Sequence, residues 1–190
     1  MTGWRFIAAL SLASIAALTP LSAPPLPAAT PKKASIEARL QRVEDDLAIR
    51  RVIVDYATFL DGRDYAHYAD LFAPDGEWVN GGGSHKGQAA IRQMLESTMG
   101  PALAPNRANY HLVSNPRIDI DGDRATATSR YLFMMRGPDG RPTPSLAGVY
   151  HDELVRIGGQ WKIKRRIADD IMPTPDEWRK IMAARKAAAQ

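Results

Sequence analysis

The sequence contains no cysteine among its 190 residues. This absence excludes a disulfide scaffold, a thiolate zinc site, an iron–sulfur cluster and a cysteine nucleophile. Four histidines are then the only soft metal ligands, and none of them falls in a metal-binding spacing such as H-E-x-x-H. We therefore expect no metal ion and no organic cofactor.

A strong charge of one sign is also missing. The formal net charge is +4. This mild positive excess is too small to indicate a nucleic-acid partner, and we expect none. With 45% hydrophobic and 24% charged residues, the chain has the composition of an ordinary soluble core. Its length fits one domain with appendages.

No apolar run reaches the roughly 20 residues that a membrane-spanning helix needs. The longest run, Phe6 to Leu18, has 13 residues and follows the basic Arg5. Small residues and prolines come next, so residues 1–29 are predicted to be a secretory signal peptide and processing region. Residues 30–34 would be a linker, and Ala23, Ala28 and Ala29 are candidate cleavage positions. The expected location is secreted or periplasmic, with no stable membrane insertion after processing; the alternative is an uncleaved N-terminal anchor.

The first part of the folded region has helical periodicity. Ser35 is a good N-cap for a long helix that runs to Asp61 and stops at Gly62. Shorter helices are predicted over 65–72 and 88–99. Between these two helices we expect a turn over 73–76, a short strand over 77–80 and a glycine loop over 81–83.

The later part has the texture of strands. From Asn109 onward, four strand-like runs are separated by turn signals, among them Asp121-Gly122 and Gly158-Gly159, which indicate hairpins. Helices followed by an antiparallel meander predict an α+β domain over 35–172. Thr174 and Glu177 form a capping-box pattern, which predicts a last helix over 176–189 within a C-terminal segment 173–190.

Several stretches resemble one family. The segments IRRVIVDYATFLDGRDYAHYADLFAPDGEW, HLVSNPRIDIDGDRATA and GGQWKIKRRIAD resemble the SnoaL-like branch of the nuclear transport factor 2-like superfamily. The resemblance implies a cone-shaped barrel: a strongly curved antiparallel sheet wrapped by N-terminal helices, enclosing one pocket. Such proteins include dehydratases, isomerases, cyclases, dehydrochlorinases and non-catalytic binding modules, so the fold does not decide the activity.

The resemblance also points to a catalytic pair, Asp61 and His111. A carboxylate that accepts from one imidazole nitrogen fixes the tautomer and leaves the other nitrogen free to take a proton from a substrate. A carboxylate at the end of a helix is disfavoured by the helix dipole, so Asp61 requires a compensating partner. The alternatives are an Asx turn at Asp61 and a purely structural histidine at 111.

Further candidates for substrate binding are Tyr56, Arg166, Trp78 and Tyr131. Strand alternation places Arg166 on one face with Lys162 and Lys164, and the resemblance implies that it points into the pocket. Arg165 is the rival candidate if the register is one residue off. The second aspartate that some dehydratases of this type carry on the strand after the histidine has no counterpart in residues 124–136.

These observations predict an exported enzyme of lyase or isomerase type. His111 would remove a proton from a carbon atom of a small hydrophobic or aromatic ligand that carries a hydroxyl or carbonyl group. The resemblance implies a homo-oligomer, a dimer or a trimer. The alternative is a non-catalytic ligand-binding or assembly module of the same fold.

Overall fold

The computed structural model describes residues 34–188. The predicted signal peptide over 1–29 and the linker up to Lys33 lie outside the described residues. Within the described part, none of the helices combines the length and the apolar character needed to cross a membrane.

Four helices form close to the predicted positions. The Ser35 hydroxyl caps the first by accepting from the Ala38 amide at 3.2 Å, and the Thr174–Glu177 capping box opens the last as predicted. The helices are α1 (Ile36–Asp61), α2 (Tyr65–Asp70), α3 (Gln88–Met99) and α4 (Pro175–Ala188).

Six strands form one sheet. They are β1 (Phe72–Asn80), β2 (Gly83–Lys86), β3 (Asn109–Asp121), β4 (Arg124–Arg136), β5 (Pro142–Ile157) and β6 (Gln160–Met172). Their order is β2-β1-β6-β5-β4-β3. The last four strands form the predicted antiparallel meander, and Gly158 and Gly159 turn one hairpin with φ values of 57° and 80°.

The sheet differs from the prediction in being mixed and open. β1 runs parallel to β6, and β2 and β3 are the two edges, so the curved sheet does not close into a barrel. Hairpin signals predict pairing only between strands that follow each other in sequence. Because β1 and β6 are far apart in the sequence, no such signal predicts that they pair. The predicted turn over 73–76 belongs to β1, as an irregularity of register between Phe72 and Glu77.

A second irregularity lies in β6. Leu154 pairs with Ile163, whereas Glu153 pairs with Arg165, so Lys164 is an extra residue on β6. The bulge shifts the alternation by one position. Arg166 therefore points inward, and the prediction that it shares a face with Lys162 and Lys164 was wrong.

The core lies between the helices and the inner face of the sheet. Ile49, Ile53 and Tyr56 of α1 pack there with Phe72 and Ile163. At one end of this layer the packing gives way to a cavity.

Candidate functional site

The cavity has a volume of about 490 Å³ and lies under α1–α3 on the inner face of the sheet. This volume is within the range of pockets for small molecules. Its lining is mostly apolar and aromatic, with α4 at the rim. Four of the predicted site residues line it: Tyr56, Trp78, His111 and Tyr131.

The structure brings Asp61 and His111 together. Asp61 ends α1, and its Oδ1 lies 2.7 Å from Nδ1 of His111 on β3. Its Oδ2 accepts the backbone N–H of the same histidine at 2.8 Å. Both side chains are largely buried, with exposures of 17% for Asp61 and 7% for His111. Since Nδ1 donates to the carboxylate, Nε2 is the nitrogen that can accept a proton in the cavity.

A buried arginine supports this pair through an asparagine. Arg63 donates to Asn109 Oδ1 at 2.8 Å, and the Asn109 amide donates to Asp61 Oδ1 at 3.2 Å. Arg63 is 6% exposed, and within residues 34–188 it has no carboxylate partner. Its positive charge therefore lies beside the C-terminal end of α1 and offsets the negative end of the helix dipole.

Tyr56 and Trp78 meet on the floor of the cavity. The Trp78 indole donates to the Tyr56 hydroxyl at 2.9 Å. Tyr56 also packs against Tyr68 and Tyr150, with ring centroids 4.7 and 5.3 Å away. The Tyr56 hydroxyl thus accepts from the indole and has one proton of its own to donate.

Arg166 does not line the cavity, contrary to the expectation that it points into it. Asp152 binds it through two hydrogen bonds of 2.6 and 2.7 Å, and neither side chain is exposed. The guanidinium lies 3.9 Å from the ring centroid of Tyr56 and 4.5 Å from that of Tyr150. Burial opposes its charge, but Asp152 raises the pKa of Arg166 above its ordinary value. Arg166 thus packs against the tyrosine rings from the side that faces away from the cavity and holds them in position. The rival Arg165 pairs with Glu77, outside the cavity.

A second acid, missed in the sequence, lies in the cavity wall. Asp170 of β6 accepts a hydrogen bond from the Tyr131 hydroxyl. Burial raises the pKa of Asp170, and the neighbouring Asp169 adds to this, while the Tyr131 hydrogen bond opposes it. Tyr131 stacks on Tyr150 at 4.3 Å and fits because Gly148 has no side chain: a Cβ there would lie 2.5 Å from the hydroxyl.

No cluster of three or more potential metal-ligating side chains occurs in the described part of the chain. The polar groups at the cavity include one imidazole, the Tyr131–Asp170 pair and further tyrosine hydroxyls, with Asn80, Thr98 and Arg179 also in the lining. Such a set can exchange protons with a bound molecule and donate hydrogen bonds to its oxygens.

The domain profile that describes the SnoaL-like domain matches residues 41–167, well over half of the chain. The chain belongs to the SnoaL-like family. The match includes both members of the Asp61–His111 pair and ends just before the strand segment that carries Asp170.

Three other proteins are similar to this SnoaL-like protein in sequence or in fold. A gamma-hexachlorocyclohexane dehydrochlorinase of Sphingobium indicum is 24% identical over 131 residues, which cover 68% of this chain and 82% of that protein. The solved structure of a protein of Novosphingobium aromaticivorans, assigned as a scytalone dehydratase, has 30% sequence identity and a TM-score of 0.59. The matched region covers 70% of this chain and 89% of that protein. An NTF2-like protein with a cystatin-like fold from the same species has a TM-score of 0.67 at 24% identity, over 73% and 90% of the two chains. The domain match confirms the predicted SnoaL-like family, and the structural neighbours confirm the predicted cone fold, here with a sheet that stays open.

Proposed function

We propose that this SnoaL-like protein is a lyase or isomerase that removes a proton from a carbon atom of its substrate. The observation that carries the proposal is the hydrogen bond between Asp61 and His111 at the wall of an open cavity. His111 is the base, and Asp61 is a positioning residue that stabilises the imidazolium. A relay of this kind contributes about 10² to 10⁴ in rate.

The acid that complements this base is the Tyr131–Asp170 pair. His111 pairs across the sheet with Phe133, and Tyr131 lies two residues further along the same face of β4. Diagonal neighbours of this kind have Cβ atoms about 7 Å apart, a span that one small ring bridges. A substrate can therefore present a C–H bond to the imidazole and an oxygen to the Tyr131–Asp170 pair at the same time.

The step that fits this arrangement best is a dehydration. The C–H electrons form the new double bond as the proton passes to His111 Nε2. The C–O bond breaks, and the leaving hydroxide takes a proton from Asp170 and departs as water. If the substrate carries a carbonyl instead of a leaving group, the same acid protonates the enolate oxygen. His111 then delivers its proton to another carbon while the enol returns the O–H proton to Asp170, which completes an isomerisation and regenerates both groups.

The substrate class follows from the lining of the cavity. Tyr56, Tyr68, Tyr131 and Tyr150 all contribute to the wall, and Trp78 and Trp178 add further aromatic surface. Aromatic walls with a few hydroxyl donors suit a flat hydrophobic molecule that carries hydroxyl or carbonyl oxygens. The dehydratase and dehydrochlorinase assigned among the relatives support an elimination reaction.

The test measures proton abstraction directly. The full-length protein is screened by thermal shift against hydroxylated and carbonyl-bearing polycyclic compounds. Each hit is then incubated in D₂O, and deuterium incorporation and product formation are followed by mass spectrometry. We expect His111→Ala to lower both rates by about 10² to 10⁴ while the hit still binds.

The matched control is His151→Ala, because His151 is half exposed and lies outside the cavity. It should leave the rates unchanged. A compound that binds wild type and His111→Ala equally, and that neither protein exchanges or converts, would show that the cavity belongs to a non-catalytic binding module.

We propose, in addition, that the protein is exported. The support is the basic start, the 13-residue apolar run and the small residues and prolines within 1–29. Fractionation of cells that express a C-terminally tagged chain tests this: a shortened protein in the periplasmic or secreted fraction is expected. An unshortened protein in the membrane fraction would favour the anchored alternative, and a cytoplasmic one would contradict both.

A further inference from the structure

α1 has a second apolar face that the fold leaves uncovered. Its buried face, which includes Ile49, Ile53 and Tyr56, packs on the core. On the opposite side, a stripe of apolar side chains is exposed: Ile36 by 76%, Leu40 by 56%, Val43 by 55%, Leu47 by 60% and Val54 by 57%. We call these five residues the α1 stripe.

The spacing of the α1 stripe is that of a coiled coil. Its members follow at steps of four, three and four residues from Ile36 to Leu47, and Val54 comes seven residues later. Leu40, Leu47 and Val54 thus occupy heptad position a, and Ile36 and Val43 occupy position d. Every residue from Ala34 to Glu44 is exposed, so the core of this domain does not account for the pattern.

The charges beside the α1 stripe complement a parallel copy of the same helix. The g positions are Arg39 and Asp46, and the e positions five residues later are Glu44 and Arg51. In a parallel pair, g of one helix faces that e position of the other, so Arg39 meets Glu44 and Asp46 meets Arg51. The antiparallel arrangement that pairs Leu40 with Val43 brings Arg39 opposite Asp46 twice. It also brings Glu37 opposite Glu44 twice, so its attractive and repulsive pairs are equal in number. The charges therefore select the parallel orientation.

We propose that the α1 stripe joins two copies of this chain as a short parallel coiled coil, with Ile36, Leu40, Val43 and Leu47 as its core. The helix is already formed as part of each domain, so association does not have to nucleate it. Arg50 occupies the next d position and donates to Asp46 at 2.5 Å, so the core of the proposed coiled coil ends at Leu47 and Val54 lies beyond it.

The composition of this segment disfavours a lipid surface as the occupant. Residues 35–51 contain four acidic and four basic side chains, so the helix has no net charge there. Helices that lie on anionic membranes carry an excess of lysine and arginine on the polar face. A second copy, in contrast, satisfies both the apolar stripe and the charges beside it.

The natural absence of cysteine permits a direct test. In the full-length chain, Leu47→Cys places one thiol at the a position, where the parallel register sets it opposite its own copy. Ala48→Cys, the matched control, places a thiol at the exposed b position of the same turn. Under mild oxidation we expect most of the Leu47→Cys protein, and little of the Ala48→Cys protein, to form a disulfide-linked dimer on a non-reducing gel.

Charge reversal tests the orientation by a second route. Arg39→Glu should weaken the dimer at least tenfold in sedimentation equilibrium, and Arg39→Glu with Glu44→Arg should restore it. A wild type that stays monomeric at high concentration would overturn the proposal. So would equal cross-linking of the two cysteine variants, or a dimer that Leu112→Lys on the outer sheet face disrupts but Leu40→Lys with Leu47→Lys does not.

Discussion

At the scale of single residues, the ion pair of Arg166 and Asp152 determines how the floor of the cavity is held. Both side chains are fully buried and joined by two hydrogen bonds, and two tyrosine rings flank the guanidinium. Removal of one partner from a buried pair leaves an uncompensated charge in the interior, which is strongly destabilising. The pair therefore couples the stability of the fold to the position of Tyr56.

We predict that Asp152→Ala lowers the free energy of unfolding by about 3 to 5 kcal/mol, measured by urea denaturation. Asp152→Leu combined with Arg166→Met should recover most of this loss, since two apolar side chains leave no charge behind. Asp123→Ala is the control, because its ion pair with Arg156 is exposed on the Asp123 side and should change stability by less than about 1 kcal/mol. A single variant as stable as wild type would contradict this account.

A second residue-scale prediction concerns Asp170. Its folded pKa is raised, so as pH rises above the ordinary value of 3.8 the unfolded chain releases its proton first, and the folded state loses stability until its own carboxyl ionises. Asp170→Asn has no proton to lose. Its melting temperature should therefore exceed that of wild type at pH 7 by no more than a few degrees, and the difference should disappear near pH 3.

Measurements of turnover distinguish a catalytic role of Asp170 from a purely structural one. With Asp170 as the proton donor, Asp170→Asn should be slow at every pH, whereas wild type should lose activity as pH rises through the pKa of this acid. Asp123→Asn, which changes an exposed acid outside the cavity, is the control that keeps the pH profile unchanged. An active Asp170→Asn protein would assign this carboxylate a role in packing only.

The sequence predicted one half of this site better than the other. Asp61 and His111 come from elements that the family resemblance brings together, and the geometry follows that expectation. The sequence did not single out Asp170, because the family resemblance implies a second acid on β4 and not on β6. Once Arg166 points inward, Ala168 and Asp170 follow on the same face by alternation, so the signal was present but depended on the register of β6.

At the scale of elements, two features could not be predicted from the sequence. They are the bulge at Lys164 and the parallel pairing of β1 with β6. A bulge carries no strong residue signature, and it reverses the face of every later residue on its strand. Likewise, nothing local marks β1 as the neighbour of β6, because the two pair only when the helices pack. Helix ends and hairpins were predicted well since their caps and glycines act locally.

The contact between the β1–β2 turn and α4 gives an element-scale prediction. A Cβ at Gly81 would lie 2.6 Å from Cβ of Pro175, whereas one at Gly82 would meet only the side chain of Asn80. Gly81→Ala should thus push the start of α4 away from the rim and weaken binding of a cavity ligand several-fold, measured by calorimetry. Gly82→Ala should bind as wild type does, and equal affinities for all three proteins would contradict the close contact.

At the scale of the whole molecule, α4 forms part of the cavity rim but contributes little to the hydrophobic core. None of its residues is buried, yet Pro175, Trp178 and Met182 line the cavity. Removal of residues 174–190 should shift the melting temperature only slightly. The same truncation should weaken ligand binding about tenfold, the effect of roughly 1.4 kcal/mol of lost contact.

Truncation after Arg185 is the matched control, because it retains every α4 residue that lines the cavity. It should bind the ligand as the full chain does. A chain that fails to fold without residues 174–190, or one that binds with unchanged affinity, would show that α4 has a different role.

The placement of the indoles has a practical consequence. Among the described residues, Trp78 and Trp178 face the cavity from its floor and its rim, whereas Trp161 is buried beside Asp45 on the far side of the core. An aromatic guest would quench or shift the emission of the first two and leave that of the third as an internal reference. The protein therefore carries its own fluorescent reporter, and a titration without any added dye can follow the arrival of a molecule in the cavity.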